Sequence, residues 1–114
     1  MTPWSSACRR PEAPMLVAFS IAPSSEEPDG GVSEAVARAV GIVRASGLPN
    51  HTDSMFTTLE GEWDECMAVI KECVDVLSAE SPRVSLVLKA DIRPGFTGQL
   101  EAKVERVEQH LTKG

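Results

Sequence analysis

The chain has 114 residues, of which 42% are apolar and 25% charged, with a formal net charge of −6 and a pI near 4.9. That length holds one domain around one core, and the composition is that of a folded globular protein, which excludes an intrinsically disordered chain. The negative balance works against nucleic acid as a partner, and no stretch approaches the roughly 20 apolar residues that cross a bilayer, so no membrane partner is expected.

Residues 1–14 carry three prolines and no periodicity, and read as a flexible leader in front of a single domain over residues 15–114. Arg9 and Arg10 before the apolar run Met15–Ala22 imitate a secretory signal, but Glu12 and two prolines interrupt it and the run is short. Cys8, Cys66 and Cys73 are odd in number and none forms a CxxC motif. Cys66 and Cys73 fall on one predicted helix, roughly 10 Å apart at about 1.5 Å per residue, too far for a disulfide. Free thiols in a reducing compartment follow, and the expected location is cytoplasmic.

Met15–Ala22 is rich in strand formers and apolar on both parities, with Val17, Phe19 and Ile21 on one side and Leu16 and Ala18 on the other. A strand apolar on both sides is covered on both sides, so a second subunit is expected on the face that the helices leave open. The stretch PSSEEPDGG, Pro23–Gly31, is a loop by composition. Val32–Ser46 follows with Val36, Val40 and Val43 at helical spacing, and Gly47 is its stop signal. His51–Ser54 and Phe56–Glu60 read as two short strands with a kink near Met55. Gly61 ends them, and Glu62, Asp64 and Glu65 sit in the first turn of the next helix, where carboxylates suit the dipole. Its expected buried stripe is Trp63, Met67, Ile70, Val74 and Leu77. Arg83–Arg93 is the last strand, and Pro94-Gly95 is the turn into a closing helix. That helix carries Leu100, Val104, Val107 and Leu111 on one side and charges on the other. Two β-α-β units so joined, with right-handed crossovers, give a ferredoxin-like β-α-β-β-α-β α+β sandwich with an added C-terminal helix.

Standard catalytic constellations are few. His51 and His110 are the only histidines and neither has a ligand at metal spacing, so no metal site is expected; His110 falls where a cation caps a helix. No P-loop, GxGxxG, GxSxG or HExxH is present. The segment Thr57-Thr-Leu-Glu60-Gly-Glu-Trp-Asp64 places hydroxyls and a carboxylate at a strand-to-helix corner, where α/β sheets take ligands. It reads equally well as a strand of good β-formers running into a helix. Thr57 and Glu60, three positions apart on a strand, face opposite sides, and share a site only if the strand twists or the site lies between subunits. Asp91 and Arg93 share one face of the last strand and form either a polar binding pair or an exposed pair of small weight. Ser20 in the first strand and Ser33 at the start of the first helix are further candidates, the latter also as a helix cap.

In these residues the stretch Met15–Leu111 resembles the thiamine-binding YkoF-like family. The matching pieces are collinear: Val17-Ala-Phe-Ser-Ile-Ala-Pro23, Ser33-Glu-Ala-Val-Ala37, Ser46-Gly-Leu48, Met55–Glu65, Arg83-Val84, Lys89-Ala-Asp-Ile-Arg93 and Lys103-Val104. Of these, Thr57-x-x-Glu60-Gly61-x-Trp63-Asp64 is the most specific. The resemblance implies a ferredoxin-like fold, dimers or tetramers that extend or stack their sheets, and non-enzymatic binding of thiamine or its hydroxymethylpyrimidine moiety, with no cofactor. Ser20, Ser33, Thr57, Glu60, Asp91 and Arg93 match its motif positions and are, with Phe56, the candidate ligand-binding residues. Phe56 stands where members usually have glycine, and Ser54 where proline is common. Phe56 therefore either stacks on a heterocycle or fills the pocket. In the second case the chain is a structural or regulatory oligomeric module with no small-molecule ligand.

Overall fold

The computed structural model describes residues 14–24 and 33–113, with backbone alone at Ser33 and Lys113. The leader, apart from Pro14, and most of the first loop lie outside the described residues. Three helices and four strands follow in the expected order: β1 (Met15–Pro23), α1 (Ser33–Ala45), β2 (Asn50–Thr52), β3 (Thr57–Gly61), α2 (Trp63–Ser78), β4 (Val84–Ile92) and α3 (Gln99–Lys113). The sheet order is β2-β3-β1-β4 and every neighbouring pair is antiparallel, the ferredoxin-like arrangement.

The chain punctuates these elements as its turn residues require. Gly47 takes φ +80 just beyond α1 and Gly95 takes φ +86 after Pro94, both left-handed conformations that a Cβ disfavours. Arg93 accepts a bond from the Phe96 backbone N–H at 3.2 Å, so Arg93–Phe96 is a tight turn with Pro94 fixing its second position. The two short strands around Met55 are a hairpin, closed by the Asp53 N–H bond to the Phe56 carbonyl at 2.9 Å.

β1 is central, with a nine-residue register against β4 and a five-residue register against β3. Met15, Val17, Phe19 and Ile21 are buried beneath α1 and α2, together with Leu59 of β3, Ala39 and Val43 of α1, and Cys66, Ile70, Cys73 and Leu77 of α2. Burying side chains of this size contributes about 1.5–3 kcal/mol for each large aliphatic or aromatic one.

The buried stripe of α2 is thus Cys66, Ile70, Cys73 and Leu77: Ile70 and Leu77 are buried as expected, and the two cysteines take the places expected for Trp63, Met67 and Val74. Met67 and Val74 flank it, and Trp63 is 53% exposed. The cause is packing distance. Compact cysteines bring the helix backbone close to the sheet, whereas the indole at the first helical position lies at the domain corner. Gly61 serves the same closeness, because a Cβ there would meet Leu48 Cδ2 at 3.2 Å and Cys66 Sγ at 3.4 Å.

Burial pushes both thiols up, to about 11 for Cys66 and about 11 for Cys73, and Cys73 Sγ donates to the Ala39 carbonyl at 3.6 Å. Since the thiolate is the reactive form, both cysteines are inert in the native state. In a Cys8→Ser background, a thiol reagent at pH 8 is expected to label neither residue until denaturant is added; rapid labelling of the native protein would show that α2 is not seated as described.

Candidate ligand-binding site

The register decides which candidate residues can meet. Thr57 lies opposite Phe19, whereas Glu60 lies opposite Leu16. The two residues are about 10 Å apart along β3 and on opposite faces. The structure accordingly divides the candidates into two groups.

The first group lines a cavity of about 190 Å³ at the end of the sheet, between α1, β1 and the β2–β3 turn. Its apolar surface includes Phe19, Ile21, Val36, Val40 and Phe56; Ser20, Thr52, Asp53, Ser54 and Thr57 supply polar groups. Of the sequence candidates, Ser20, Phe56 and Thr57 come together here. Phe56 lines the cavity and leaves it open. Thr57 is buried, and its hydroxyl lies 3.2 Å from that of Thr52, so the two hydroxyls share one hydrogen bond and keep capacity for a further partner.

The turn that carries Phe56 is held by Asp53. Its Oδ1 accepts the backbone N–H groups of Met55 and Phe56, both at 2.8 Å, which is an Asx turn. Both bonds go to one oxygen, leaving Oδ2 outside the turn. These two N–H donors, Phe56 first and Met55 second, hold the Asp53 carboxyl below the usual carboxylate range. Asp53 and Thr52 were not among the sequence candidates. The signal for them was the Asp-Ser-Met turn itself, because an aspartate two residues before a tight turn is a recurring way to fix it.

The second group lies on the other face of the sheet. Glu60, Leu16 and Asp91 form one row across β3, β1 and β4, and the first turn of α3 sits on this row. Glu60 is buried, and its Oε2 and Oε1 accept the backbone N–H groups of Gln99 at 2.9 Å and Leu100 at 3.3 Å. A carboxylate at this position satisfies two of the helix's orphan donors and complements its dipole. Asp91 pairs with Lys103 of α3, which, with Arg93 and Lys89 further away, keeps its carboxyl below the usual range. Arg93 lies just beyond β4 with its guanidinium 3.6 Å from the centre of the Phe96 ring. Glu60, Asp91 and Arg93 thus have partners within the chain and stand apart from the cavity. Ser33 begins α1, and its side chain lies outside the described residues.

Among the described residues no group of three or more His, Cys, Asp or Glu side chains is placed to hold a metal ion, and no helix is long and apolar enough to cross a membrane.

Comparison with known proteins gives the family and the fold. The family model for thiamine-binding proteins matches residues 17–108. A UPF0045 protein of Mycobacterium bovis is 48% identical over 100 residues, covering 87% of this chain and 96% of that protein. Among solved structures, a hypothetical protein from Methanocaldococcus jannascii superposes with a TM-score of 0.75 at 27% identity, over 83% of this chain and 96% of that one. A candidate thiamine biosynthesis or salvage protein from Thermotoga maritima gives a TM-score of 0.68 at 25% identity, over 81% and 98% of the two chains.

Two tests separate the groups. Glu60→Ala removes both bonds to α3, so it is expected to lower stability by about 1–2 kcal/mol and to speed amide exchange at residues 99–103. Unchanged exchange there would show that α3 is held by something else. For Asp53, a folded pKa below its unfolded value means that its contribution is complete above about pH 4 and fades as pH falls through the lower folded value. Carboxyl NMR is expected to show Asp53 titrating below the ordinary aspartate range, and a midpoint at or above about 3.9 would contradict the turn geometry.

Proposed function

The chain belongs to the thiamine-binding protein family, and from that premise we propose that it binds thiamine, or the hydroxymethylpyrimidine half of it, in the cavity beneath the β2–β3 turn and performs no chemistry on it. The observation that carries this reading is the meeting of an aromatic ring, a hydrogen-bonded pair of hydroxyls and a carboxylate around one cavity: Phe56, half-buried Thr52 with buried Thr57, and Asp53.

Each part suits one part of the ligand. An aminopyrimidine is a flat ring with donors and acceptors along its edge. Hydroxyls, which both give and accept, match either kind of group, and Ser20 adds another in the same wall. Phe56 offers the ring a stacking face. The cavity, about 190 Å³, is smaller than the roughly 300–1,000 Å³ that encloses a drug-sized molecule. In this reading it takes the pyrimidine and leaves the thiazolium at the mouth. There the cation would meet the Asp53 carboxylate and the Phe56 face, an aromatic attraction of about 0.5–2 kcal/mol. The net charge of −6 favours a cationic ligand in the same sense.

The reading includes a homo-oligomer, dimer or tetramer, working in the cytoplasm. The face of β1 away from α1 and α2 supports this, because Leu16 and Ala18 are only partly covered there.

Calorimetric titration with thiamine and with hydroxymethylpyrimidine tests the proposal. Saturable binding near one ligand per chain is expected. Thr57→Val and Phe56→Ala should each weaken it by about tenfold while the protein stays folded, the size of one lost hydrogen bond or one lost stacking contact. Absence of heat with both ligands, from a folded oligomer, would favour the structural module without a small-molecule ligand.

A further inference from the structure

Among the described residues that line the cavity, Asp53 is the one that carries a charge. It is exposed, and its Oδ1 is committed to the Met55 and Phe56 N–H groups, so the mouth presents a carboxylate whose Oδ2 stands outside those bonds. The cations of the neighbouring elements are turned elsewhere. Arg38 of α1 pairs with Glu80 just beyond α2, and Arg44 stands in the last turn of α1, past the lining residues. His51 adjoins Thr52 on β2 and so faces the other side of the sheet. Ala22 and Val36 both line the cavity, and the sequence between them holds Glu26, Glu27, Asp29 and Glu34 and neither Lys nor Arg. Glu34 also occupies the first turn of α1, where the helix dipole would otherwise favour an anionic ligand.

We infer that this site selects its ligand by charge, taking thiamine and hydroxymethylpyrimidine in their unphosphorylated forms and rejecting their phosphate esters, with Asp53 as the residue that decides. This rests on the binding mode proposed above and adds the chemical class of ligand that the site accepts. In hydroxymethylpyrimidine phosphate the ester hangs on the methylene that carries the thiazolium in thiamine. With the pyrimidine in the cavity that methylene points to the mouth, so the phosphate takes the place of the cation, against Asp53. A phosphate monoester carries nearly two negative charges above pH 7. Two charges against one, about 6 Å apart in water, amount to about a tenfold loss of affinity. The cavity gives the ester nothing in return. Phosphate is held by Lys, Arg or backbone N–H donors, and the N–H groups of the turn are already bonded to Asp53 Oδ1. In thiamine monophosphate the ester sits further out, on the hydroxyethyl arm, and the thiazolium is kept, so the loss is smaller.

The test is calorimetric titration of the full-length protein with hydroxymethylpyrimidine, its phosphate, thiamine and thiamine monophosphate, at pH 8 and low ionic strength. The pyrimidine phosphate is expected to bind about tenfold more weakly than the alcohol, and thiamine monophosphate more weakly than thiamine. Asp53→Asn keeps a side-chain oxygen for the turn N–H groups and removes the charge, so the ratio of alcohol to phosphate affinity should fall to about one. If that variant does not fold, salt decides the matter on the wild type: raising sodium chloride to about 1 M should shrink the ratio several-fold. Equal or tighter binding of the phosphate by the wild type would overturn the inference and leave the binding reading standing. So would a ratio that stays the same in folded Asp53→Asn, or in high salt where that variant does not fold. No binding of any of the four ligands would overturn both.

Discussion

β1 is bound on both edges and apolar on both faces, and the rest of the domain is arranged to satisfy it. Its backbone is consumed by β3 and β4, so it has no freedom to slip: a shift of one residue would turn Val17 and Phe19 out of the core. Its buried face needs cover, which α1 and α2 provide by way of Ala39, Val43, Cys66 and Cys73. Its other face receives the first turn of α3. The cavity lies at the end of this packing, bordered by Phe19 and Ile21 of β1, Val36 and Val40 of α1 and the β2–β3 turn.

Two carboxylates that look alike in the sequence have different work. Glu60 points to the open face and is spent on the backbone of α3, two N–H groups held by one buried side chain. A group so engaged has little capacity left for a ligand, and removing it first loosens a helix. Asp53 spends one oxygen on its own turn and sits at the cavity wall. The difference follows from strand parity and from distance along β3.

Much of this was legible in the sequence. The helix stop at Gly47, the turn at Pro94-Gly95 and the order of elements all follow from local residue chemistry, and the structure has each of them. The opposite orientation of Thr57 and Glu60 follows from a period of two. What local chemistry does not encode is contact across long separations. Glu60 and Gln99 are 39 residues apart, and nothing near either one announces the bond. The buried stripe of α2 departs in part from its hydrophobic periodicity for a related reason. Periodicity weights Trp63 by its hydrophobicity, whereas packing against a sheet selects the small Cys66 and Cys73 for the closest approach. Asp53 does not stand out in the sequence because its turn has the local pattern of a kink between strands, and a hairpin tip is the place where a side chain both shapes a loop and borders a cavity.

In the proposed binding mode the cavity under the β2–β3 turn holds the pyrimidine ring, on the face of the sheet opposite Glu60. The most direct measurement is a titration of 15N-labelled protein with hydroxymethylpyrimidine followed by amide NMR. Saturable shifts concentrated at Ser20 and residues 52–57, with residues 99–103 unmoved, are the expected result. Shifts centred instead on Glu60, Asp91 and the start of α3 would contradict it and move the site to the opposite face.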